Sequence, residues 1–286
     1  MPRIVFALIL LVAAAPAADR ELERAAREVR EHAARAPFGV ALDSYLRASQ
    51  LLRAGDPPLA WEFAVAAAEL LKTDGREVYE AGRVARSLMD LDPARGEPLA
   101  RSLPGRQYPL GGLVGYWLAK EEPRRAAEIL REAWRGGVYL EPGAALRALA
   151  ASSLEDASGF FADLLAAFPV ENATLDEVNL LANAVREMAP GDAPAAVRGL
   201  ERVIDAVTAA NFNARGTRDL IATYRLGGST VTTEGARPSL LLAAGICLHA
   251  LDPESYHRRR ALFEPWQREI AAVPRGEMEK AARPQS

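Results

Sequence analysis

The sequence predicts an all-α fold of short antiparallel helical hairpins, and three observations carry that expectation. Alanine makes up about a fifth of the 286 residues and aromatic residues only 7%, which suits closely packed helices and not a β-sandwich or barrel. Polar capping residues followed by apolar runs of helical period recur at short intervals. Glycine or proline falls at the ends of those runs, so the helices come out at about ten to eighteen residues joined by tight turns. A hydrophobic content of 50% excludes wholesale disorder.

The first eighteen residues have the form of an export signal. Arg3 supplies a positive start, Ile4 to Ala15 is apolar, and Ala15-Pro16-Ala17 has the small-x-small form of a cleavage site, placing cleavage after Ala17 or Ala18. The apolar run is short for a membrane span, and no cysteine stands at the cleavage point to accept a lipid. The expectation is an exported chain, periplasmic or extracellular, with no integral membrane span after cleavage. Without Arg3 the basic count falls from 35 to 34 against 38 acidic residues, a charge near −4 with both signs interspersed. That balance argues against nucleic acid or an anionic membrane surface as the main partner. Cys247 is the sole cysteine, so stability must come from packing and not from an internal disulfide.

Residues 19–38 read as a charged amphipathic N-terminal helix in which His32 is solvated. Further on, Asp56-Pro57, Asp92-Pro93 and Asp252-Pro253 each put a carboxylate at a helix cap and proline at the first helical position, where its missing N–H costs nothing. Asp74 with Glu77, and Thr174 with Glu177, have capping-box spacing. Gly55, Gly136, Pro169, Pro190 and Gly191 stand at run ends. Asn172-Ala173-Thr174 matches a glycosylation acceptor, although Thr174 is also wanted as a cap.

The hairpins repeat. An alanine near the start of each second helix falls at Ala60, Ala94, Ala126 and Ala157, at spacings of 34, 32 and 31. Twelve residues before each lies a small or modest side chain in the first helix: Ala48, Gly82, Val114 and Ala145. At this spacing the chain resembles the tetratricopeptide repeat family, whose units of about thirty-four residues place small residues where two helices cross. The best match is "DASGFFADLLAAFP", with Ala157, Phe161, Leu164, Leu165 and Pro169, and the worst is the second unit, where Pro98 should kink or end the second helix. A looser fifth pair (Ala184, Ala196, Leu200, Val203) and a sixth (Gly245, Ala261) extend the likeness over roughly Gly39 to Ile270. The family's early aromatic is replaced by Ser44, Val78, Leu110 and Glu141. The resemblance implies a right-handed α-α superhelix, a solenoid with a groove that binds protein or peptide. The positions of the family's peptide-carboxylate clamp hold Ser49, Arg83, Gly115, Leu146 and Val185, so that sub-class is unsupported.

From Ala196 to His257 the repeat takes 61 residues where one unit needs about 34. The excess matches an insertion at 211–238, between an array at 39–210 and a final helix pair at 239–272 followed by a tail at 273–286. Within the insertion, alternation predicts a β-hairpin turning at Gly227-Gly228, with Leu226 opposite Ser229, Tyr224 opposite Val231 and Thr223 opposite Thr232. One face then carries Ala222, Tyr224, Leu226 and Val231, and the other Thr223, Arg225, Thr230 and Thr232. A helix from Thr217 to Gly227 is the competing reading.

Chemistry-bearing constellations are thin. Cys247 and His249 are two apart on a helix, point to different faces, and cannot act as nucleophile and base; Cys247 reads as a buried small apolar residue. A turn at Asp252-Pro253 brings His249 near His257, which with Asp252 or Glu254 have ligand chemistry, but a helix-end cation and a solvated His-Arg-Arg-Arg run explain them more simply. Gly111-Gly112 with Gly115 lacks the preceding strand and following Lys-Ser/Thr of a phosphate loop and fits a close helix crossing. Gly227 to Thr230 likewise lacks the lysine and following helix of a phosphate cradle. No catalytic residue, metal or cofactor is assigned. Asn179, Asn183 and Arg186 recur at helical spacing and form a donor-rich ridge, and Tyr224 and Arg225 mark the insertion as a second surface. The expected function is that of a non-enzymatic, exported scaffold for a protein or peptide partner. The alternative is a helical module of an envelope glycan- or peptidoglycan-processing system, with a purely structural element of a larger assembly behind it.

Overall fold

The computed structural model describes residues 18–75, 79–209, 221–226, 229–274 and 282. The apolar run at 4–15, Glu77, the Gly227-Gly228 turn and nearly all of the tail lie outside the described residues. The chain is mostly helical, 77% helix, with 14 α-helices and one two-stranded antiparallel sheet among the described residues. None of those helices is long and apolar enough to cross a membrane. It divides into two compact units, Met1–Ala133 and Trp134–Ser286.

The first unit holds α1 (Ala18–Arg35), α2 (Phe38–Leu52), α3 (Pro57–Asp74), α4 (Glu80–Leu91), α5 (Pro93–Arg101), α6 (Gln107–Ala119) and most of α7 (Pro123–Arg135). The first of these seals the end of the core: Ala25, Ala26 and Val29 pack with Ala48, Leu52, Ala60 and Phe63. Successive hairpins follow, α2 with α3 and α4 with α5, and the first helices also touch one another, α2 against α4 and α4 against α6. Asp56 and Asp92 cap α3 and α5 as expected. The Asp56 carboxylate accepts from Leu59 N–H at 3.0 Å, and Asp92 accepts from Ala94 and Arg95 N–H at 3.1 and 3.2 Å. Asp74 is the last residue of α3, with Gly75 beside it at φ 71° as a left-handed C-cap, a conformation costly for any residue with a Cβ, and its expected partner Glu77 lies outside the described residues.

Backbone contact is closest where α4 crosses α6. A Cβ on Gly112 would lie 2.4 Å from the Gly82 carbonyl oxygen, and one on Gly82 would lie 2.9 Å from that of Tyr108. Both distances are far inside van der Waals contact, so each position admits hydrogen alone. The close-crossing reading of the glycine cluster thus applies to Gly112, whereas a Cβ on Gly111 or Gly115 would meet nothing within 4 Å. In the second hairpin the expected anchor Ala94 is exposed, and the crossing is made two residues later by Gly96, whose Cβ would fall 2.6 Å from the Leu88 carbonyl. Pro98 sits inside α5, which at nine residues ends three residues after it.

The second unit contains α8 (Gly143–Ser152), α9 (Leu154–Ala167), α10 (Leu175–Met188), α11 (Ala193–Ala209), strands β1 (Ile221–Leu226) and β2 (Ser229–Glu234), α12 (Ala236–Leu251), α13 (Pro253–Arg258), a 3-10 helix (Arg260–Trp266) and α14 (Gln267–Ala271). Trp134, fully buried, donates its indole N–H to the Leu140 carbonyl at 3.0 Å and meets Tyr139 edge-on, closing the loop into α8. The α8–α9 and α10–α11 pairs are packed hairpins, α8 also touches α10, and α11 leads onto α12. Ala157, Phe161, Leu164, Ala184, Ala196 and Val203 are all buried. Thr174 and Glu177 form the expected reciprocal capping box, with bonds of 2.6 and 3.3 Å. Ser153 and Asp192 are further caps, and the Asp192 carboxylate also accepts the Ser158 hydroxyl at 2.6 Å, tying α9 to the start of α11.

The expected final pair at 239–272 is a helix followed by fragments. Its first helix begins at Ala236, and its second is broken into α13, the 3-10 segment and α14. Pro265 cannot donate the N–H that an α-helix would need there. Phe263 of this segment packs onto Gly245, where a Cβ would approach its ring to 2.8 Å. The insertion is a β-hairpin and not a helix from Thr217, whose start lies outside the described residues. Its register pairs Leu226 with Ser229, Tyr224 with Val231 and Thr223 with Thr232, as alternation predicts.

Two outcomes follow for stability. Gly112→Ala should lower unfolding free energy by about 2 kcal/mol through overpacking, while Gly111→Ala, exposed and unobstructed, should raise it by up to about 1 kcal/mol; urea denaturation of the two variants reads both signs. The Ser158 hydroxyl, the Ala195 N–H and Arg198 hold the Asp192 carboxyl below its ordinary 3.8 against the opposing effect of burial. A lowered native pKa stabilises the fold above about pH 4, and that stabilisation is lost as pH falls through the native value. Ser158→Ala should therefore be less stable than the parent near neutrality and converge with it in acid, giving a shallower acid limb in a pH series of Tm.

Candidate functional site

The expected surface residues divide into three groups. Asn179 and Arg186 are exposed on α10, and Asn183 is half-buried with its amide donating to Glu141 at 3.4 Å. Beside it Arg147 of α8 grips Glu187 of α10 through two N–H···O bonds of 3.0 and 3.1 Å. The ridge is thus partly tied, through Asn183, to the loop before α8, leaving Asn179 and Arg186 as its outward donors.

The hairpin residues separate cleanly. Arg225 is exposed, with Thr223 and Thr232 beside it, their hydroxyls 3.5 Å apart. Tyr224 is 2% exposed and donates its hydroxyl to the Ser239 carbonyl of α12 at 3.1 Å, while burial pushes its pKa up and that hydrogen bond opposes the shift. It is a fastening of the hairpin and not a contact for a partner, a correction with a plain physical cause: it lies on the face with Ala222 and Leu226, both buried. Thr233, also buried, bonds Ser239 Oγ at 2.7 Å and reinforces the same seam.

Around the last turn of α12, the His249 ring meets Tyr256 edge-on at 4.8 Å; Tyr256 stacks on Phe263 at 5.1 Å and touches the His257 ring at 5.7 Å. Asp252 is spent as a cap, accepting from Glu254 N–H, Ser255 N–H and the Ser255 hydroxyl at 3.0, 3.2 and 2.6 Å. The cluster is aromatic packing, and among the described residues no group of three or more His, Cys, Asp or Glu side chains is placed to hold a metal ion. Cys247 is half-buried, more open than the sequence suggests.

The site that sequence reading missed lies between α2 and α4, wholly within the first unit. A cleft of about 180 Å³ is floored by Ser49 and Ser87, which are 1% and 8% exposed and share one hydrogen bond at 3.2 Å. Arg53, Arg83 and Arg86 line it together with Gln50 and Asp90. Arg53 reaches Asp90 at 3.4 Å, and Asp43 is shared between Arg47 at 2.7 Å and Arg83 at 3.6 Å. Arg86 makes no ion pair with the described residues. Tyr116 of α6 senses the same field: burial foremost and then Asp90 push its pKa up, and Arg53 opposes them. Two of these positions, Ser49 and Arg83, stand where the tetratricopeptide clamp would carry asparagine; the arginines are spread over forty residues, so their convergence is invisible until α2 and α4 are placed side by side.

No family model, no curated protein and no solved structure matches this chain.

Tyr224→Phe should cost about 1 kcal/mol by removing the buried hydroxyl's bond, and Arg225→Ala less than about 0.5 kcal/mol, as measured by urea unfolding. Equal costs would show that the hairpin is not fastened through the tyrosine.

Proposed function

We propose that this chain is an exported, non-enzymatic helical-repeat protein of tetratricopeptide-like, right-handed superhelical build, which holds a protein or peptide partner along the exposed faces of its first helices. The observation that carries the reading is the side-by-side arrangement of first helices, α2 with α4 and α4 with α6 in one unit and α8 with α10 in the other. Within each unit, stacking of that kind gives a face along which an extended segment can lie. The residues exposed there suit such a segment. Gln50, Arg83, Arg86, Asn179 and Arg186 offer donors, Tyr79 at 71% exposure offers a ring, and Gly111 lets a partner backbone come close. The outer face of the hairpin, with Arg225, Thr223 and Thr232, supplies a second contact surface. Export rests on the apolar run after Arg3 and the Ala15-Pro16-Ala17 cleavage form.

Photo-crosslinking in cells tests the reading. A benzophenone amino acid at position 50 or 86 of the first unit should capture a protein partner, as should one at 179 of the second, while the probe at 69 of α3 or 128 of α7, exposed on second helices, should not. Uniform capture at all five positions, or none at the first three, would sink the groove model.

A further inference from the structure

The geometry points to the α2–α4 cleft as a binding site for a phosphate monoester group in its dianionic form. Three arginines, Arg53, Arg83 and Arg86, line the cleft against a single lining carboxylate, Asp90, a surplus of two positive charges among its lining residues, while Asp43 outside it is shared between Arg47 and Arg83. That excess is local, because the whole chain carries a net charge of −3. Crowding like charges costs free energy unless something neutralises them, and a dianion does so completely where a single carboxylate would leave half the excess.

The donors match the same group. Arg86 has no ion-pair partner among the described residues, and Arg83 is held by Asp43 only at 3.6 Å, beyond hydrogen-bond length. Both therefore keep N–H donors for a ligand, and the planar fork of arginine fits two oxygens of a phosphate at once. At the floor the two serine hydroxyls share one hydrogen bond, so one O–H remains to donate to whatever enters. Donors at the mouth and floor and a single carboxylate at the side describe a cradle for a tetrahedral oxyanion.

Size narrows the ligand further. A volume of about 180 Å³ holds roughly six waters at ~30 Å³ each. It admits a phosphate and its ester oxygen, and it is smaller than the ~300 Å³ at which drug-sized ligand pockets begin. A nucleotide base would have to lie outside. The phosphate can arrive free or on a phosphorylated side chain of a partner, and the chemistry of the cradle is the same for both.

Equilibrium dialysis of the full chain against radiolabelled inorganic phosphate, at constant ionic strength and neutral pH, provides the test. Phosphate should be retained with acetate competing at least tenfold more weakly, and Arg86→Gln and Arg83→Gln should each weaken retention roughly tenfold while Arg186→Gln on the other unit leaves it unchanged. Circular dichroism of the exposed-residue variants reports that they remain folded. A phosphoserine peptide that displaces inorganic phosphate more strongly than its unphosphorylated form, and more strongly than phosphate itself, assigns the group to a partner; no advantage for the peptide assigns it to a small phosphate. Acetate competing as well as phosphate, or retention indifferent to both arginine substitutions, overturns the proposal. Because the probe is inorganic phosphate, that failure would leave the crosslinking pattern along the first helices untouched, and the converse failure would leave phosphate binding intact.

Discussion

Backbone-to-backbone approach between neighbouring helices is the constraint on which the first unit is built. With Gly112 against the Gly82 carbonyl, and Gly96 against that of Leu88, helices meet at distances where no Cβ fits. Close approach of this kind lets neighbouring side chains interlock, and it turns the fully buried residues Val84, Ala85, Leu88 and Leu113 into shared core. The high alanine content has the same origin. Ala60, Ala64, Ala67 and Ala68 line one helix with no exposed surface at all, which is the side-chain size that short, closely stacked hairpins demand.

The same constraint explains the cleft between α2 and α4. At that crossing the inner contact is made by Ser49 and Ser87, small enough for helices to approach and polar enough to need each other. Long arginines rise around them with charged ends outward. Small polar residues at a crossing therefore serve packing and also open a donor-lined space, so the structural and the proposed binding roles of this surface share a cause.

In the second unit, polar seams join elements alongside glycines that pack against side chains, Gly199 against Val185 and Phe161 and Gly245 against Phe263. The Ser158–Asp192 bond, the Arg147–Glu187 fork and the Thr233–Ser239 and Tyr224–Ser239 contacts each join separate elements. The hairpin depends on this most, since two strands bury little by themselves and need a helix beneath them. Its buried face supplies Ala222, Tyr224, Leu226 and Thr233, and its exposed face is left to solvent or a partner.

Several local signals were legible in the sequence, because they act over a few residues: the caps at Asp56, Asp92, Thr174 and Asp252, the alternation that paired Tyr224 with Val231, and the burial of the alanines at 60, 126, 157 and 196. Even there, Ala94 misled, since a small residue stands at more than one nearby place and only packing selects between them, here Gly96. Whether Tyr224 faced a partner or the helix beneath, which glycine of the cluster lay at the crossing, and which arginines shared a field were decided by tertiary structure. Those are contacts between residues some fifteen to forty positions apart, as in Tyr224 with Ser239 and Ser49 with Ser87, and no local pattern encodes which helix a side chain will meet.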